Sequence, residues 1–303
     1  MHTAMVTSSD QQTAKAATGA ANIDPSAAKV AMREQWDAAA KGWNDNTALI
    51  RAWLRVQTDA MLTMANLRPG MRVLDVAAGA GDQTLDIAAR VGAGGSVLAT
   101  DLSPAILACA KANAVAAGHR NVATHVADAE SLGLPEAGFD AAICRLGLML
   151  LPDPAKGLGE MHRSLRRGGK ASTMVFSSPE RNPCIGILVA TAMKHAGLPP
   201  RDPFQPGGLL SLGKPGLMDE LFLAAGFSDV STTQVMAPMR LPSVKHYLDF
   251  VRSSASPILQ IMARIDPARR SAAWQDIEER LSFFSSHYGW VGPNELLLTV
   301  GQR

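Results

Sequence analysis

The chain is poor in cysteine, in aromatic side chains and in any excess of charge, and each shortage excludes a class of function. Its three cysteines, Cys109, Cys144 and Cys184, lie far apart and form no CxxC or Cys/His pair with metal spacing. Neither a metal site nor a disulfide framework is expected, and a reduced compartment follows as the default. Lys and Arg total 29 against 27 Asp and Glu, a net charge of +2. Nucleic acid and anionic membrane surfaces both select for a basic excess, so neither is an expected partner. The pairs Arg166-Arg167 and Arg269-Arg270 are too short to be binding tracts and read as solvated faces. No apolar run approaches the roughly 18 residues that span a bilayer, and the first residues lack the charged-then-apolar order of a secretion signal. A soluble protein of the cytoplasm is the expectation.

What the chain does have is apolar material. Hydrophobic residues make up 47% of its 303 positions, enough for one large core with a cap. Residues 1–28 are the exception: they are rich in Ala, Thr, Ser and Gln and predict a mobile tail, because so few large side chains cannot offset the entropy of ordering. A helical lid is expected over residues 29–66, where Trp36, Trp43 and Trp53 stand out in a chain only 5% aromatic. They serve either as packing anchors or as a cover that closes over a ligand.

The stretch from Met71 to Thr84 organises the remainder. Val73, Leu74 and Val76 form the short apolar run of a strand covered on both faces, and Leu85, Ile87 and Ala88 begin a helical pattern. Between them, the small residues from Ala77 to Gly81 let a ligand approach the backbone, and the helix beyond offers free N–H groups at its positive end. Further strands are expected at residues 96–100, 121–126, 139–144 and 171–176, with helices between them and a turn at 166–170. Two more close the pattern at 230–235 and 295–300. This alternation predicts an α/β fold built on a doubly wound, mostly parallel sheet of seven strands. The periodicity loosens after Phe176, and seven prolines fall between Ser177 and Pro215. The domain plan is a core over residues 67–180, an insertion at 181–213, core again at 214–240, a helical cap at 241–289 and a last core strand at 290–303.

Asp75, Asp101 and Asp128 each close a predicted strand. In an open α/β sheet those ends line the ligand crevice, so three successive carboxylates point to one elongated polar ligand. Asp101 lies 20 residues after Gly81, the spacing at which a carboxylate accepts hydrogen bonds from ribose hydroxyls. A nicotinamide oxidoreductase uses the same logic, but Thr84 breaks its GxGxxG fingerprint and an acid at Asp75 sits badly beside a pyrophosphate. A ligand with a positively charged amino acid end suits Asp75 better.

The run Val73-Leu74-Asp75-Val76-Ala77-Ala78-Gly79-Ala80-Gly81-Asp82 resembles the first motif of the class I S-adenosylmethionine-dependent methyltransferases, commonly VLDxGxGxG. It is close to the VLDVAGGTGD form of the ubiquinone and menaquinone C-methyltransferases. Asp101-Leu102-Ser103 is similar to the second motif of that family and Asp128-Ala129-Glu130 to the third. Leu165-Arg166-Arg167-Gly168-Gly169-Lys170 resembles the turn before its fifth strand. The resemblance runs in order from about Trp36 to Phe227. It implies a Rossmann-like methyltransferase fold with an antiparallel last strand, S-adenosylmethionine as cofactor, ribose on Asp101 and the adenine amino group on Asp128. The implied cradle comprises Asp75, Ala77, Gly79, Gly81, Gln83, Thr84, Asp101, Leu102, Asp128, Ala129 and Arg145. Ala77 stands where the family usually has glycine, a change expected to cost little, and Arg167 where it has proline.

The activity this implies is in-line methyl transfer to a small, largely apolar acceptor, with O-methylation ahead of N- or C-methylation. Quinone-pathway C-methylation is the alternative within the class; a cofactor-binding protein without catalysis and a nicotinamide oxidoreductase are the alternatives outside it. His195 and His246, both in the inserted segments, are the candidate general bases. Trp36, Trp43, Arg145 and Met149 are the candidate lid and substrate contacts. No NPPY or DPPY tetrad follows the fourth strand, which disfavours methylation of nucleic acid bases. The sequence leaves the oligomeric state open.

Overall fold

The computed structural model describes residues 25–303. Two helices, α1 (Pro25–Asp45) and α2 (Thr47–Met64), precede the sheet. The alternating part follows as β1 (Arg72–Val76), α3 (Asp82–Val91), β2 (Ser96–Asp101), α4 (Pro104–Ala116), β3 (Val122–Val126), β4 (Phe139–Arg145), α5 (Pro154–Ser164) and β5 (Leu165–Phe176). Then come α6 (Pro183–His195), α7 (Leu217–Ala224), β6 (Ser228–Met236), β7 (Met239–Leu241), α8 (Val244–Ser254), α9 (Ser256–Ala263) and α10 (Pro267–Leu281). Two short strands, β8 (Ser285–Ser286) and β9 (Gly289–Gly292), lead into β10 (Glu295–Gln302). The expected tail at residues 1–28 lies outside the described residues except for its last four, which open α1.

Seven strands form one sheet in the order β3-β2-β1-β4-β5-β10-β6. Only β10 runs antiparallel, to both β5 and β6. The chain moves outward from β1 to β3 and returns to β4 on the other side of β1, so the crevice opens at the carboxyl ends of β1 and β4. Val73, Leu74 and Val76 are 0–2% exposed because helices cover both sheet faces, which is why β1 reads as a continuous apolar run. The predicted turn at 166–170 is absorbed into β5 as an irregularity: Phe139 pairs with Leu165 but Ala141 with Lys170. Backbone bonds between Arg303 and Gly168 (2.7 Å) and Gly169 (2.9 Å) brace it where a proline would otherwise stiffen it.

The two inserted segments pack as one cap. Leu188 and Ala192 of α6, Leu248 and Val251 of α8, Ile258 of α9 and Ile277 of α10 share a core separate from that of the sheet. Trp290 of β9 is its largest fully buried side chain; it stacks on Tyr247 with ring centroids 4.4 Å apart and donates to the Leu281 carbonyl at 2.8 Å. The cap is not wholly helical as expected, since β7, β9 and β8 form a three-stranded sheet within it.

The three leading tryptophans divide their work. Trp53 of α2 is a packing anchor: its indole lies on Phe176 and its Nε1 donates to the Ala237 carbonyl at 2.7 Å. Trp36 and Trp43 of α1 meet edge to face at 6.0 Å and cover the crevice. Asp37 fastens α1 to α4, where its Oδ1 accepts from Ser103 Oγ at 2.5 Å and from the Ala105 N–H at 3.2 Å.

Candidate functional site

A cleft of about 820 Å³, counting its open mouth, lies over the carboxyl ends of β1, β2 and β4. Its walls include Ala77, Gly79, Asp101, Leu102, Asp128, Ala129 and Arg145 from the sheet side, and Lys29, Met32, Trp36 and Trp43 from α1. The lid is held low. About 100 Å³ remains for the centres of water molecules, so a nucleoside-sized ligand enters only if the lid side chains swing outward.

Asp75 does not reach this space, contrary to the expectation that it faces the ligand's charged end. It is fully buried, with Gln83 Nε2 donating to one carboxylate oxygen at 2.9 Å and Thr84 Oγ1 to the other at 2.6 Å. Both donors sit in the first turn of α3, so the carboxylate ties the end of β1 to that helix and shapes the turn between them. Burial pushes the Asp75 carboxyl up to about 7, against the lowering effect of Thr84, Gln83 and the nearby Arg145. Thr84, which breaks the dinucleotide fingerprint, is thereby accounted for: its hydroxyl is committed to Asp75. Neither Gln83 nor Thr84 lines the cleft.

The turn itself is left-handed at Ala77 (φ +53°), Gly79 (φ +58°) and Gly81 (φ +85°). For alanine this is a strained conformation that costs about 1–2 kcal/mol relative to the right-handed one, so the Ala77 replacement is not as neutral as the sequence suggests. Gly79 underlies the lid, since a Cβ there would stand 3.0 Å from Trp43 Nε1. Gly81 faces away from the cleft and against α4, where a Cβ would meet the Ala110 Cβ at 2.9 Å. It permits close helix packing rather than ligand contact.

Asp101 closes β2 and braces the turn. Its carboxylate accepts from the Gly79 N–H and the Ser103 N–H, both at 3.0 Å, while still lining the cleft. Burial raises its proton affinity against those bonds. Asp128 accepts from the Glu130 N–H at 2.9 Å and is paired with Lys29 of α1, which also contacts Glu130 at 2.8 Å. Lys29 thus latches the lid to the third strand tip, a contact the sequence reading did not include. Its signal was present: Lys29, Met32, Trp36 and Trp43 follow helical spacing along one stripe of α1.

Arg145 ends β4 and lines the cleft, but its charge is already matched. One guanidinium nitrogen is paired with Asp82, the first residue of α3, and another donates to Thr58 Oγ1 at 3.0 Å. Expected as a cofactor and substrate contact, Arg145 is instead held by partners within the protein at the edge of the cleft. Met149 is buried outside the cleft lining, with its carbonyl accepting from Ser211 Oγ at 2.7 Å.

The histidines are not brought to the site. His195, at the end of α6, pairs through Nε2 with Asp276 of α10 at 2.9 Å and fastens two cap helices together. His246 is exposed on α8, 2.9 Å from Ser243 Oγ. Neither lines the cleft, and no histidine does among the described residues. No cluster of His, Cys, Asp or Glu able to hold a metal ion occurs among those residues, and none of their helices is long and apolar enough to cross a membrane.

Residues 73–169 match the family model described as a methyltransferase domain. Over 109 residues the chain is 37% identical to the ubiquinone/menaquinone biosynthesis C-methyltransferase UbiE of Geobacter sp. (strain M21), an alignment covering 36% of this chain. The chain spans only 46% of the length of that relative. Among solved structures, the YcgJ protein from Bacillus subtilis superposes with a TM-score of 0.56 at 19% identity, covering 82% of this chain and 98% of its own. The [4+2]-cyclase SpnF follows with a TM-score of 0.51 at 21% identity, covering 81% and 79%. These two likenesses establish the fold, and the sequence match over residues 73–169 is to a methyltransferase domain.

Proposed function

We propose that the protein transfers a methyl group from S-adenosylmethionine to a small, largely apolar acceptor. The observation that carries this reading is the register of Asp101 and Asp128 at successive strand tips, flanking a left-handed Ala77–Gly79 turn under a tryptophan lid. This cradle suits the group. Asp101 offers acceptor positions to ribose hydroxyls, and Asp128 does so to an adenine amino group once Lys29 moves aside. When bound, the sulfonium supplies an electrophilic methyl group. What the chain contributes is alignment and exclusion of water: Trp36 and Trp43 cover the cleft, while Asp75 and the Arg145–Asp82 pair hold its floor.

O-methylation remains the favoured chemistry, at an oxygen acidic enough to ionise unaided, since no histidine among the described residues lines the cleft to take the proton. C-methylation of a quinone precursor is the second reading, favoured by the relative's activity as a ubiquinone/menaquinone C-methyltransferase.

S-adenosylhomocysteine present at about 100 times its Kd should stabilise the fold by about 2.7 kcal/mol, seen as a melting temperature several degrees higher. No shift would overturn the cofactor assignment. The cyclase on the same fold makes a second measurement necessary. Release of S-adenosylhomocysteine in the presence of candidate acceptors distinguishes a methyltransferase from a protein that only binds the cofactor.

A further inference from the structure

Among the described residues, a cavity larger than the cleft lies in the cap. It lies between α6, α9 and the segment 198–210, and offers about 690 Å³ to the centres of water molecules, within the range of roughly 300–1,000 Å³ typical of small-ligand pockets. Ile185, Val189 and Met193 line one wall at helical spacing along α6, and Ile258 and Ile261 of α9 the other. The rim is different in character: among the described residues it carries Lys194, Arg201 and Arg264 against a single acid, Asp202. Lys194 has a carboxylate nearby, Asp276 at 3.9 Å. Asp202 is turned to its own loop, where its Oδ1 accepts from the Phe204 N–H at 2.9 Å. Among the described residues no carboxylate stands within ion-pair distance of Arg201 or Arg264.

Two contacts join this cavity to the cleft over the sheet. Gly207 of the cavity wall lies so close to the Leu150 carbonyl of the cleft wall that a Cβ on it would stand 3.9 Å away. Helix α1 spans both: Met32 and Trp36 face the cleft, and Gln35 is hydrogen-bonded to Gln260, which lines the cavity. The two spaces are therefore linked through α1 and the turn at Gly207.

We propose that the cap cavity is a second small-molecule site, distinct from the cleft, and that it takes an amphipathic acid, its apolar body between α6 and α9 and its anionic group neutralised by Arg201 and Arg264. This site does not depend on the methyltransferase reading of the cleft. An aliphatic or aromatic tail gains from burial against five branched or flexible apolar side chains, and an arginine pair favours a carboxylate over a neutral head of the same size.

The test is calorimetric binding of decanoate and of decan-1-ol to the full chain. Decanoate should bind at least tenfold more tightly than the alcohol. The double substitution Arg201→Gln/Arg264→Gln should abolish that preference while leaving the alcohol's affinity unchanged. Gly186→Leu should abolish both, because Gly186 lines the cavity and a Cβ there meets nothing within 4 Å, so the added side chain fills the space without displacing the helix. Equal affinity for acid and alcohol, or a preference that survives the arginine substitutions, would overturn the anionic assignment. Binding that survives Gly186→Leu would overturn the location. S-adenosylhomocysteine binding is measured on the same wild-type sample: its absence with decanoate bound counts against the proposed function, and its presence with no decanoate bound counts against the cap site.

Discussion

Replacing Arg145 by methionine isolates the interaction that holds the floor of the cleft. The side chains of Arg145 and Asp82 are 3% and 2% exposed, and the guanidinium also reaches Thr58 of α2 at 3.0 Å. Methionine keeps much of the packing volume but leaves the buried Asp82 carboxylate without its hydrogen-bonded ion-pair partner, a loss of about 3–5 kcal/mol. The damage extends to Asp75, whose charge Arg145 favours and Asp82 opposes. A fold of ordinary stability, about 5–15 kcal/mol, would lose a large fraction of it. Urea unfolding of the wild type, Arg145→Met, Asp82→Leu and the double variant gives the four corners of a cycle. Each single substitution should cost about 3–5 kcal/mol. The double should cost less than their sum by about 2 kcal/mol, because neither charge is then stranded. Strictly additive losses, or an Arg145→Met protein within about 1 kcal/mol of wild type, would refute the view that this pair is a mutually dependent buried unit.

Asp75 supplies a pH signature. Its carboxyl sits at about 7 in the fold against 3.8 unfolded, so the folded chain keeps a proton that the unfolded chain releases. The contribution of this group is full below about 3.8, falls as pH rises towards about 7 and is flat above. Melting temperatures of Asp75→Asn should therefore gain on the wild type between pH 4.5 and pH 8, and parallel curves would refute the shift. Ala77→Gly relieves a left-handed alanine (φ +53°), set against the greater unfolded freedom of glycine. A net gain of up to about 1 kcal/mol, or about 2–4 °C by calorimetry, is expected; a lower melting temperature would show that the strain is absent. Asp128→Ala should weaken S-adenosylhomocysteine binding about tenfold or more, the worth of one hydrogen bond to a charged acceptor. Lys29→Met frees that carboxylate and should not weaken it. Equal losses on titration would mean that Lys29, rather than Asp128, contacts the ligand.

The sheet was legible because its signals are local and redundant. Val73 to Val76 is a covered strand by composition, Pro104 and Pro154 mark helix starts, and each strand of the first half ends near an acid or a glycine. The strand tips Asp101 and Asp128 could be placed from spacing alone, because in a parallel sheet the chain must leave each strand at the same edge. What spacing does not carry is which way a side chain turns after the strand ends. Asp75 has the same motif position as a ligand contact, yet Gln83 and Thr84, eight and nine residues on, satisfy it from the next helix. The histidines failed for a related reason: residence in an insertion says nothing about which face of a cap helix meets the cleft, and Asp276, the partner of His195, is 81 residues distant. The three strands of the cap sheet were missed because two to four residues cannot establish a period.

Helix α1 lines the cleft and is hydrogen-bonded through Gln35 to Gln260 of the cap cavity, and that link has a thermodynamic consequence. Its Lys29–Met32–Trp36–Trp43 stripe faces the cleft, while Gln35, on the flank of the same helix, is bonded to Gln260 at the cap cavity. A cofactor that fills the cleft must first lift the lid side chains and then order them, and whatever orders α1 also fixes one edge of the cavity. The two binding events should therefore be coupled, and coupling of this kind is reciprocal. The direction is set by where order is lacking: if the lid is loose without ligand, the first ligand bears the ordering cost and the second binds more tightly. Decanoate affinity should rise when S-adenosylhomocysteine is present, and S-adenosylhomocysteine affinity should rise by the same factor when decanoate is present. Gln35→Ala breaks the link to α9 without touching the cleft stripe, so it should reduce that factor while leaving the affinity for S-adenosylhomocysteine alone unchanged. A factor of one in the wild type, or one that Gln35→Ala leaves intact, would mean that α1 covers the cleft without transmitting its occupancy to the cap.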